Sequence, residues 1–152
     1  MNYSIETLPT YRIAFARKVG PYGAANYKTM ELIKQWAKAK GLFDSSSILL
    51  GIPRDNPAIT PASDCRYDAC IVLSDQDYEL DSYIYEEDYE GGTYLIMNVE
   101  HTEEGVKQAW SQFPSILEES GYQMEERPII ERYQVKLVQK GYCELCVPVK
   151  SL

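Results

Sequence analysis

Apolar and polar residues alternate from Tyr11 to Val19, with Ile13, Phe15 and Arg17 on one side; this predicts a strand, closed by Gly20-Pro21. From Ala24 to Lys40 the period becomes helical. Tyr27, Met30, Ile33 and Ala37 form one stripe, and Gly41 follows as a stop. Ile48 to Ile52 reads as a short apolar strand. The loop PRDNPAITPASD, punctuated by three prolines, leads to a further strand from Arg66 to Leu73.

The same order then returns. Gly91-Gly92 opens a strand from Thr93 to Val99. Thr102, followed by Glu103 and Glu104, marks a helix start. Val106, Ala109, Trp110, Phe113 and Leu117 form the stripe of this helix, Pro114 predicts a kink or restart in it, and Gly121 ends it. Pro128 to Leu137 and Tyr142 to Val149 read as strands. Under one offset Val19 falls on Val99, Ile33 on Phe113, Ala37 on Leu117 and Gly41 on Gly121. Near the ends, Ala69 to Val72 falls on Leu145 to Pro148. The pattern therefore predicts one domain over 1–152 built as a tandem strand-helix-strand-strand duplication. Its halves cover about 1–73 and 92–152, with a linker at 74–91. The units share one sheet or pack side by side, and a groove at their junction is where a ligand is expected.

Composition locates the charge. The chain has 152 residues, 23 acids against 15 bases, and a formal net charge of -8. From Ser74 to Gly92 stand Asp75, Asp77, Glu79, Asp81, Glu86, Glu87, Asp88 and Glu90, with no Lys or Arg among them. The remaining acids and bases balance, so the whole net charge belongs to this segment. It offers no basic patch for direct nucleic-acid binding or for an anionic membrane, but it could dock on a basic protein partner. The N-terminus has no apolar signal core and no run approaches a membrane span, which places the chain in the cytoplasm. Nothing in the sequence fixes an oligomeric state. Of the four cysteines, Cys143 and Cys146 form C-x-x-C, but on a strand they point to opposite faces. The expected reading is buried small hydrophobes, with neither metal nor cofactor.

The candidate chemistry is carboxylate and aromatic. There are 13 Tyr against 3 Phe and 2 Trp, and tyrosine suits groove walls that take flat or cationic ligands. Tyr67, Tyr94, Tyr133, Tyr142 and Tyr22 lie on or beside elements. On the strand from Pro128, Glu131 shares a face with Ile129, Tyr133, Val135 and Leu137, where a carboxylate is costly unless paired or set in a cavity. Glu144 lies on the side of Tyr142 and Cys146. The two glutamates take opposite phases, and each is read as a site residue or as one partner of a salt bridge. His101 is the only histidine, so no nucleophile-His-acid triad is available, and no Gly-rich phosphate loop occurs.

VGPYG at 19–23, DNP-x-x-TP at 55–61, CRYDACI at 65–71, GGTY at 91–94, RPIIERY at 127–133 and ELCVPV at 144–149 together resemble the GyrI-like small-molecule-binding family, the effector domain of AraC- and MerR-type multidrug regulators. The resemblance runs over nearly the whole chain. It implies an α+β fold in which a duplicated strand-helix-strand-strand unit forms an antiparallel sheet with two main helices and a central ligand groove. It implies a groove glutamate, Glu131 or Glu144, and aromatic walls from Tyr67, Tyr94, Trp110 and Tyr133. No helix-turn-helix accompanies the domain, so the chain looks like a stand-alone member. The implied function is binding of hydrophobic, planar or cationic small molecules. Two alternatives come with the family: hydrolysis of cyclopropane-containing genotoxins by a groove glutamate, catalytic residues Glu131 or Glu144, and a gyrase-inhibitor-like interaction module.

Overall fold

The computed structural model describes residues 2–74 and 78–152. Asp75 and Asp77 of the acidic segment lie outside the described residues. The elements are β1 (Tyr3–Leu8), β2 (Tyr11–Val19), α1 (Ala25–Ala39), β3 (Ile48–Pro53), β4 (Arg66–Val72), β5 (Tyr85–Tyr89), β6 (Gly92–Glu100), α2 (Glu103–Ser120), β7 (Tyr122–Met124), β8 (Ile130–Gln134), α3 (Val135–Val138) and β9 (Tyr142–Ser151). The class is α+β, as expected. One antiparallel sheet runs β1-β6-β9-β8-β3-β4-β2-β5, with β7 paired to the end of β9.

This order splits into two equivalent sets of four strands that meet at the β3–β8 seam. Their outermost strands are exchanged. β1 precedes β2 in the chain but pairs with β6, Tyr3 opposite Met97; β5 precedes β6 but pairs with β2, Tyr89 opposite Tyr11. The periodicity does not predict either outer strand, because both are short and largely exposed edges. The segment read as a linker thus carries β5, and several of its acids are engaged: Glu86 with Arg12, Glu87 with Arg54, and Asp81 with Lys40 at 3.5 Å. The two connections into β2 and β6 touch. A Cβ added to Gly91 would stand 2.3 Å from the Leu8 carbonyl oxygen, so only glycine fits there.

Both long helices lie on one face of the sheet. α1 brings Ile33, Trp36 and Ala37 onto Ala14, Ala16, Leu49, Ala69 and Ile71. α2 brings Ala109 and Ile116 onto Leu95, Met97, Val99, Leu145 and Val147. Among the described residues the other face has no long helix, and it curls over its own core of Ile13, Phe15, Leu50, Ile52, Cys70, Tyr94, Ile96, Ile130 and Cys146. Burial of this apolar surface from both faces is the main force holding the fold. Among the described residues, no helix is long and apolar enough to cross a membrane.

Two expectations change. The strand from Pro128 does not reach Leu137: β8 stops at Gln134, where its pairing with β3 ends at Ile48. The Val135 amide then bonds the Ser47 carbonyl at 3.0 Å, and a single turn, α3, carries the chain to Gly141. Pro114 does not divide α2, which runs unbroken with Thr102 Oγ1 accepting from the Gly105 amide at its start and left-handed Gly121 at its end. Packing of the helix outweighs the backbone bond that proline forfeits, the one to the Trp110 carbonyl.

Candidate ligand-binding site

The β3–β8 seam sets the site. Antiparallel pairing places Gly51 opposite Glu131 and Leu49 opposite Tyr133. On β8, Ile130 and Arg132 turn to the curled core, so Glu131 and Tyr133 turn to the helix-bearing face. α1 packs on β2 and β4, α2 on β6 and β7. The seam lies between them, and Tyr133 packs against the apolar clusters of both halves.

Glu131 is half-buried there and holds two donors. Trp110 Nε1 of α2 donates to Oε2 at 2.7 Å, and the Tyr133 hydroxyl donates to Oε1 at 2.6 Å. Tyr67, 4% exposed, reaches in from β4. Its hydroxyl and Glu131 Oε1 stand 2.6 and 3.3 Å from the point a Cβ on Gly51 would occupy, so the missing side chain makes their room. Burial, and then the Glu131 charge, raise the pKa of both Tyr67 and Tyr133. Both phenols stay protonated, and Tyr133 remains a donor. The His101 ring meets the Tyr133 ring edge-on, centroids 5.5 Å apart.

Glu131, Tyr67, Trp110 and Tyr133 are therefore brought together. Glu144 and Tyr94 are not: they lie on the opposite face. Glu144 takes both Arg132 Nε and Nη2, at 2.9 and 3.0 Å, and Gln134 Nε2 at 2.6 Å, while Arg132 Nη1 donates to the Tyr11 hydroxyl. This is the salt-bridge reading of Glu144. Tyr94 is fully buried, its hydroxyl 3.3 Å from that of Tyr89 and its ring under the Arg127 guanidinium at 5.0 Å. Tyr22 braces the proline-rich loop, its hydroxyl donating to the Arg66 carbonyl at 2.7 Å. Cys143 joins the helix-side core and Cys146 the curled core, and burial pushes both thiols up to about 12. Reactive thiolate chemistry does not suit them.

Sequence reasoning missed Gly51 and His101. An isolated glycine inside the apolar strand ILLGIP is a signal of close approach. His101 carries no comparable signal, since only the fold brings it to Tyr133. Two clefts open elsewhere. One of about 370 Å³ lies between α1 and Asp81–Tyr83, and one of about 200 Å³ is lined by Arg54, Glu87, Tyr89 and Arg127. Neither includes Glu131, whose two oxygens are engaged by Trp110 and Tyr133.

The chain thus folds as a duplicated, curled antiparallel sheet with paired helices, and an aromatic-lined carboxylate stands at its seam. The GyrI-like small molecule binding domain matches residues 1–150, and the chain belongs to that family. It is 39% identical over 151 residues to YosT, an SPbeta prophage-derived protein of Bacillus subtilis (strain 168) named as a transcriptional regulator, covering 99% of this chain and all of that one. It is 25% identical over 148 residues to the DNA gyrase inhibitor of Escherichia coli (strain K12), covering 95% and 93%. The C-terminal domain of EcmrR superposes with a TM-score of 0.79 at 14% identity, covering 99% of this chain and 98% of that domain. The likeness spans 58% of the EcmrR chain seen bound to DNA. SAV2435 bound to tetraphenylphosphonium superposes with a TM-score of 0.61 at 15% identity, covering 99% and 94%.

Proposed function

We propose that the chain binds hydrophobic, planar or cationic small molecules at a groove on the β3–β8 seam, with Glu131 as the counter-ion and Tyr67, Trp110 and Tyr133 as its walls. The observation that carries this is a half-buried carboxylate whose neighbours are three aromatic rings and which, among the described residues, takes its hydrogen bonds from no arginine or lysine. A carboxylate held by neutral donors keeps its charge available to an incoming cation, and the rings add stacking and cation–π attraction. Glu131, Trp110 and Tyr133 are each part-exposed, so a ligand can approach the carboxylate along the helix-bearing face beside Trp110. A related fold bound to tetraphenylphosphonium is in keeping with this reading.

The test is calorimetry with tetraphenylphosphonium. Wild type is expected to bind, and Glu131→Gln to lose about tenfold or more in affinity, the worth of a charge-assisted contact. Equal binding by the two sinks the proposal.

The second reading is hydrolysis of a cyclopropane-containing electrophile, with Glu131 as general base toward water. Each Glu131 oxygen already accepts a hydrogen bond, which favours a binder over a base that must take up a proton. Steady turnover abolished in Glu131→Gln would reverse that ranking.

A further inference from the structure

His101 has no part in the function proposed above, yet the fold sets it against the site. It follows β6, and its amide bonds the Gly141 carbonyl at 2.9 Å, which fixes the segment to the start of β9. From there its ring lies edge-on to Tyr133, the residue whose hydroxyl holds Glu131. A cation bound at Glu131 would therefore have the imidazole one aromatic ring away. We propose that His101 is a charge-selecting residue of the seam site: neutral, it admits cations to Glu131, and protonated, it opposes them. The inference rests on the reading of Glu131 as the counter-ion.

The surrounding charges are consistent with that role. Lys34 of α1, itself 3.5 Å from Glu31, is the cation that acts on His101 from the other half. Tyr133 and, beyond it, Glu131 face it from β8. Glu100, Glu103 and Glu104 flank it along its own segment. Although the residue is exposed, partial desolvation of the ring against Tyr133 and then the Lys34 charge lower its pKa, so it gains its proton only below the ordinary histidine value of about 6.5. Two like charges separated by one aromatic ring, partly screened, change affinity by about fivefold.

Because this is the chain's only histidine, its ring proton gives one resolved NMR titration. Binding and protonation must oppose each other equally. Saturating tetraphenylphosphonium is therefore expected to lower the His101 midpoint further, whereas a neutral aromatic of similar size leaves it in place. In calorimetry between pH 7.5 and 5, wild type should lose about fivefold more affinity than His101→Gln. His101→Lys, charged throughout, should bind weakly at every pH. An equal loss of affinity in wild type and His101→Gln overturns the inference. Binding that requires Glu131 but leaves the His101 midpoint unmoved overturns this inference alone. Failure of the cation to bind wild type at pH 7.5 overturns both this and the reading on which it rests.

Discussion

Gly51 and Glu131 face each other across the seam of β3 and β8, and the offset that carries Gly41 onto Gly121 carries Gly51 onto Glu131. The two positions are counterparts in the duplication as well as neighbours in the sheet. One side supplies the carboxylate and the other supplies the space it needs.

Gly51→Ala tests that space. The new Cβ would lie 2.6 Å from the Tyr67 hydroxyl, and Tyr67 is too buried to swing aside freely. Overpacking of this kind costs about 1–3 kcal/mol. A lower midpoint in urea, with changed Trp110 fluorescence, is the expected outcome.

Glu144→Gln separates the two glutamates. It removes the charge paired with Arg132, which is 6% exposed. Leaving that guanidinium buried and unpaired costs about 3 kcal/mol. Denaturant unfolding should show the loss, while the folded fraction binds tetraphenylphosphonium with wild-type affinity.

Gly91→Ala tests the crossing of the two connections. The clash is with backbone, the Leu8 carbonyl at 2.3 Å, so neither strand can give way independently. Destabilisation of about 2 kcal/mol or more is expected, without a direct effect on the seam. Thermal unfolding followed by far-UV circular dichroism would measure it.

The stability of the fold against pH should fall in two separate windows. His101, though exposed, has a pKa lowered by partial desolvation and by Lys34, so the unfolded chain takes the proton first. Stability is lost as pH falls through the ordinary histidine range near 6.5. Asp55, lowered by Arg66, and Glu86, lowered by Arg12, contribute stability above the ordinary carboxylate range. That contribution is lost as pH falls through their depressed values, below about 4. Urea midpoints across pH 2–8 should show both steps, with His101→Gln removing only the upper one.

Much of the fold was legible in the sequence because its middle strands and helices bury one clean face each. The duplicated order, both helix ends and the opposite phases of Cys143 and Cys146 follow from period and capping alone. β1 and β5 were not legible: YSIETL and YEEDY are exposed edges whose partners lie in the other half. Of the site, Glu131 was singled out by its company on one strand face. Tyr94 and Glu144, singled out on the same grounds of residue type and strand phase, stand on the other face. Separating them required the register that sets Tyr94 beside Pro148 and Arg132 beside Glu144.

A chain made of two copies ordinarily offers two of each feature, and a ligand would then find two equal places. An acid at position 51 would sit directly opposite Glu131 on the paired strand, the two repelling each other until one took up a proton. Glycine at position 51 removes that conflict. The seam therefore carries one carboxylate rather than two, and the walls on its two sides differ: Trp110 of α2 on one and Tyr67 of β4 on the other.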